Sequence, residues 1–68
     1  MEIKFKIGQG VWFMDGNKPF QGNITKIEIT QNIEKKVNIA YTMDAKITRL
    51  EENISDTKEG LKEIVFKN

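Results

Sequence analysis

Phe20-Gln21-Gly22-Asn23-Ile24-Thr25-Lys26-Ile27-Glu28-Ile29 is the stretch that decides the fold. Phe20, Gly22 and Ile24 share one parity, whereas Ile27, Ile29 and the later Ile33 share the other. Side chains of a strand alternate strictly between its two faces, so a flat strand cannot keep both sets on one side. A β-bulge or sharp bend near Thr25-Lys26 resolves the conflict and adds local twist. Small barrels need such a bend, because one long strand must leave one part of the sheet and enter another. Gly22 would ease the close approach of neighbouring backbone there.

Working outward, the flanks are also β in character. Ile3, Phe5 and Ile7 alternate with Lys4 and Lys6, the pattern of a half-buried extended segment. Val11-Trp12-Phe13-Met14 is apolar on both faces, and Asp15-Gly16-Asn17-Lys18-Pro19 is dense in turn formers, so a hairpin is expected between them and Phe20. Gln31-Asn32-Ile33-Glu34 reads as a second turn. Val37, Ile39 and Tyr41 then form an amphipathic strand, and Met43-Asp44-Ala45 connects it to a short last strand over residues 46–50.

The period changes after Glu51-Glu52-Asn53-Ile54, which reads as a turn. Ser55, Asp56 and Thr57 offer N-cap oxygens, with Asp56 and Glu59 at capping-box spacing. Leu61, Ile64 and Val65 then fall on one helical face, and Glu63 and Lys67 stand in a favourable i,i+4 order. Gly60 inside that segment costs about 1 kcal/mol against Ala, so the helix needs tertiary support. The expectation is one domain over residues 1–68: a barrel over about 3–54 and a C-terminal helix over about 56–66.

Composition agrees. Ile, Val, Leu and Phe number 19 of the 68 residues, which is enough to fold. Of these, 13 are the β-branched Ile and Val, which favour strands. The chain has no Cys and no His. Disulfides, thiolate chemistry, the commonest metal ligand and the commonest general base are therefore absent. Ser55 has no base to activate it, Glu51-Glu52 reads as an exposed turn, and Gly8-Gln9-Gly10 lacks the strand–loop–helix setting of a phosphate loop. We expect no enzyme, no cofactor and no metal. No apolar run approaches the ~20 residues that span a bilayer, and no signal-peptide pattern opens the chain, so no membrane partner and a cytoplasmic location are expected.

Phe5-Lys6-Ile7-Gly8-Gln9-Gly10-Val11-Trp12, followed by Gly22-x-Ile24-x-x-Ile27, resembles the opening of SH3-like small barrels of the Tudor and KOW kinds. The likeness covers roughly residues 5–42. The Thr57-Lys58-Glu59-Gly60-Leu61 close after Glu51-Glu52-Asn53-Ile54 looks like the tail of small bacterial or phage barrel proteins. The resemblance implies a mainly β fold: about five short, strongly bent antiparallel strands with a short C-terminal helix. It also implies an aromatic cage in which Trp12, Tyr41 and Phe20 hold a methylated cation, with Asp15 or Asp44 beside it. Against that, Tyr41 and Phe20 share the parity of Ile39 and Ile24, which places both in the core.

Two other groups are candidate binding residues. If Val11 and Phe13 face inward, Trp12 and Met14 face outward, where either the C-terminal helix covers them or they form an exposed platform for a protein, a peptide or a second subunit. Residues 1–50 carry eight basic and five acidic side chains, and residues 51–68 carry three and five, balances of +3 and −2. A mildly basic barrel face results, with Lys35-Lys36 its densest point. Lysines also keep sheet edges from pairing, which needs no ligand. The expected function is a small non-catalytic interaction module that binds a protein or peptide, or assembles with itself. Weak nucleic-acid binding through the basic face and a purely structural part in a larger assembly are the alternatives.

Overall fold

The structure is a computed structural model, and it describes residues 3–66. Five antiparallel strands form one curled sheet, a half-barrel of SH3-like arrangement, and a short C-terminal helix packs on it. The strands are β1 (Gly10–Asp15), β2 (Lys18–Gln31), β3 (Val37–Met43), β4 (Ile47–Leu50) and β5 (Ile54–Ser55). A single 3-10 turn (Glu51–Asn53) precedes β5, and the helix α1 spans Lys58–Phe66. The order across the sheet is β4-β3-β2-β1-β5.

The bend in β2 lies where the parity switch places it. Ile24 pairs with Met43 and Lys26 with Thr42, leaving Thr25 as the extra residue of a bulge. The Thr25 hydroxyl donates to Thr42 O at 3.1 Å and accepts from Ala45 N at 3.0 Å. It thereby ties the bulge to the β3–β4 turn, where Asp44 (φ 52°) and Ala45 (φ 55°) are both left-handed and Lys46 N donates to Met43 O. That is type I′ geometry, which suits the twist of a hairpin but costs a non-glycine residue about 1 kcal/mol. Gly22 is required by packing. A Cβ there would stand 2.8 Å from Asp44 Oδ2 and 3.2 Å from Phe13 Cε1. At the β1–β2 turn, Gly16 alone has a positive φ (65°), the pattern of a type II′ hairpin.

Val11, Phe13, Ile24, Tyr41, Met43 and Ile54 make the core, with Phe5 closing one end. Ile27, Ile39 and Ile47 pack partly against it. β4 and β1 are not neighbours in the sheet, yet the curl brings them together. Arg49 Nε donates to Met14 O at 3.3 Å, and Arg49 Nη2 stands 3.7 Å from Asp15 Oδ1. The guanidinium thus links β4 to β1 without backbone pairing between them.

Four expectations are corrected. Residues 3–7 do not join the sheet: Gly8 turns the chain (φ 88°), and only Gly8 and Gln9 bond to Ile24. Of the alternating trio, Phe5 is buried while Ile7 remains 59% exposed. The fifth strand is instead Ile54–Ser55, read from sequence as the end of a turn. Ile54 faces Phe13 across β1 and is buried against it. Phe20 is 45% exposed rather than core, since it lies toward the hairpin end of β2 and its ring stacks only on Phe13, at 6.5 Å. The helix cap is Thr57, whose Oγ1 accepts from Gly60 N at 3.0 Å, in place of the Asp56–Glu59 box. The Glu63–Lys67 pair lies outside the described residues.

α1 reaches the outer face of β1 and β5 by close approach at Gly60. A Cβ there would overlap Ser55 Oγ and lie 3.3 Å from Ser55 Cβ. Gly60→Ala ordinarily stabilises a helix by about 1 kcal/mol. Here it is expected to destabilise the protein by about 1–3 kcal/mol through overpacking, seen as a lower urea midpoint. A raised midpoint would mean that α1 does not dock in this way. Thr25→Val, which keeps the shape but removes both hydroxyl bonds, is expected to cost roughly 1 kcal/mol in the same assay.

Candidate functional site

Strand parity separates the aromatic residues that the Tudor resemblance would gather. Phe20 pairs opposite Phe13 on the inner face, whereas Trp12 pairs opposite Gln21 and Ser55 on the outer face. Tyr41 is inside, with no exposed surface. Trp12 therefore lies on the opposite face from Phe20 and Tyr41, and no cage forms. The two carboxylates proposed for it are engaged elsewhere: Asp15 faces Arg49, and Asp44 Oδ1 accepts from Asn23 N at 3.1 Å.

Tyr41 instead anchors the open end of the barrel. Its hydroxyl donates to Glu51 Oε2 at 2.6 Å and accepts from Phe5 N at 3.4 Å. The same carboxylate oxygen accepts from Lys4 N, and the Phe5 ring meets the Tyr41 ring edge-on at 5.3 Å. Burial, reinforced by the hydrogen bond to Glu51, pushes the phenol up from its ordinary 10 to about 12.

Trp12 and Met14 are both half-buried. α1 lies over this outer face and buries Leu61 against it, while Lys58 Nζ sits 5.7 Å from the centre of the Trp12 ring. The helix therefore covers part of the surface that the sequence left open. What remains exposed is a groove of about 240 Å3 between α1 and the β1–β2 hairpin, lined by Met14, Pro19, Leu61, Val65 and Phe66. Met14 and Pro19 are register partners, which sets them side by side on the outer face. Phe66 stands 82% exposed at the rim. The charged groups that line the groove are Lys58 and Lys62. Of these residues the sequence pointed to Met14 alone as a binding candidate.

Lys35 and Lys36 lie exposed in the β2–β3 loop. Lys36 faces Glu34 at 3.9 Å, and Lys26 on the adjoining strand faces Glu28 at 2.9 Å. Lys26 and Lys36 thus each have a carboxylate beside them. The loop itself is tightly held. Asn32 Oδ1 accepts from Glu34 N (2.9 Å) and Lys36 N (3.0 Å), Asn32 N and O bond to Lys36 and Lys35, and Gln31 Nε2 donates to Lys35 O. Ile33 projects from this loop fully exposed.

No protein-family model, curated protein or solved structure matches the chain in comparison. Among the described residues, no helix is long and apolar enough to cross a membrane.

The Tyr41 phenol is the chain's only one, so its titration can be followed directly by phenolate absorbance. Its folded-state value lies above the unfolded one. The stability it contributes is therefore complete below about pH 10 and is lost as pH rises through about 12. A spectrophotometric titration should place the transition well above that of free tyrosine, coincident with loss of stability on the order of 2 kcal/mol. Titration near pH 10 in the folded protein would contradict the buried Tyr41–Glu51 pair.

Proposed function

We propose that the chain is a non-catalytic interaction module that binds another polypeptide through the groove between α1 and the β1–β2 hairpin. The observation that carries this is the groove's lining: five apolar side chains in a concave surface, one of them an almost fully exposed phenylalanine. A small domain gains nothing in stability from holding Phe66 in water, and concave apolar surfaces with a few polar groups at the rim are where ligands bind. Aromatic side chains, Phe included, are enriched in protein interfaces relative to the rest of the surface.

The rim defines the occupant. Lys58 and Lys62 favour a segment in which a protruding aliphatic or aromatic side chain is flanked by a carboxylate, the apolar group entering the groove and the carboxylate meeting a lysine. Lys58 is exposed, with its charge over the Trp12 ring.

Selection of a random peptide display library on the immobilised protein tests this. Enriched peptides should share an apolar anchor next to Asp or Glu. They should lose roughly tenfold or more in affinity against Phe66→Ala, a change at an exposed position that leaves the fold intact. No enrichment, or enriched peptides that bind Phe66→Ala unchanged, overturns the assignment.

A further inference from the structure

We propose that the tip of the β2–β3 hairpin of one copy inserts Ile33 into the α1 groove of a second copy, giving a head-to-tail contact. This rests on the groove reading above and names its partner.

Three observations point to it. Ile33 has the chemistry the groove asks for: a branched apolar side chain, 100% exposed, followed at once by the carboxylate of Glu34. Its loop is preorganised, since Asn32 holds both Glu34 N and Lys36 N with one side-chain oxygen while Lys35 takes a left-handed turn (φ 64°). A side chain displayed on a rigid loop loses little freedom on binding. One charge of the tip, Glu34, is complementary to the rim, and Lys35 and Lys36 follow it. Glu34 follows the inserted residue, and the groove's rim carries Lys58 and Lys62. The Glu34–Lys36 contact that must loosen is long, 3.9 Å between largely exposed groups, and such pairs hold weakly. Lys35 and Lys36 lie two and three residues beyond Ile33 and have stems long enough to keep their charges in water.

Plug and groove are different surfaces of the same molecule, so the contact is heterologous. Repeated, it builds an open chain of copies or a ring rather than a two-fold dimer. One inserted side chain gives an interface well below the size of a stable complex, and the association is accordingly transient.

The asymmetry supplies the test. Ile33→Asp removes the plug and keeps the groove, whereas Phe66→Asp spoils the groove and keeps the plug. Both positions are exposed, and circular dichroism verifies that each variant is folded. Wild-type protein at millimolar concentration should show a sedimentation coefficient that rises with concentration, and each variant alone should not. Isotope-labelled Ile33→Asp titrated with unlabelled Phe66→Asp should then show amide shifts at Met14 and along residues 61–66. The reverse labelling should show them at residues 32–35. A Glu34→Lys variant should weaken self-association, and Lys62→Glu added to it should restore it.

Concentration-independent sedimentation of the wild type, or shifts confined to other surfaces, overturns the proposal. If library peptides still bind the groove in a Phe66-dependent way, only the self-association falls. If they do not, the groove assignment falls with it.

Discussion

The Thr25 bulge is the constraint on which the rest of the structure depends. Without the extra residue, either Ile24 or Ile27 would face water, and β2 could not serve β1 with one end and β3 with the other. The bulge does more than restore parity. Its hydroxyl spans Thr42 O and Ala45 N, and so holds a β3–β4 turn whose two central residues are both left-handed without glycine. That turn in turn places Asp44 against Asn23 N and leaves no room for a side chain at Gly22. The bend, the turn and the glycine are three expressions of one packing solution.

A half-barrel leaves its ends to be closed by other means, and this chain uses polar side chains for it. Arg49 spans the side gap by bonding to β1 backbone, and Tyr41 with Glu51 gathers Lys4 and Phe5 across the open end. Hydrogen bonds are directional, and a buried group such as the Tyr41 hydroxyl left without its partner is costly. They therefore define where the N-terminal segment crosses more sharply than apolar contact would. This also accounts for the alternation of Ile3, Phe5 and Ile7 without a strand. The segment needs one buried anchor, Phe5, and its other apolar positions stay in solvent.

What could be read from the residues, and what could not, divides by range. The bulge, Gly22, the hairpin at Gly16 and a C-terminal helix follow from parity, turn chemistry and period, all properties of neighbouring residues. The cap shifted from Asp56 to Thr57 because three adjacent residues could each supply an oxygen, and the choice falls to where α1 docks. Phe20 shares the inward parity of Ile24, but parity says nothing about how far the core extends along a strand. The groove was legible only at Met14. Its other walls come from Pro19 and from α1, whose cover over Trp12 and Met14 the residues offered as one of two readings, but local pattern does not say how far along the hairpin the helix reaches.

Gly60 links these levels. As a helix residue it is unfavourable, and in isolation it argues against α1 forming at all. Its missing Cβ is what lets the first turn of α1 seat on Ser55, with Thr57 capping from one side and Leu61 buried on the next position. Once that turn is seated, the direction of the remaining helix follows, and Val65 and Phe66 are carried out past Met14 and Pro19. The exposed phenylalanine is thus a consequence of how the helix begins. A side chain at position 60 would collide with Ser55, so the residue least suited to the helix is the one that lets it seat beside the surface proposed to bind.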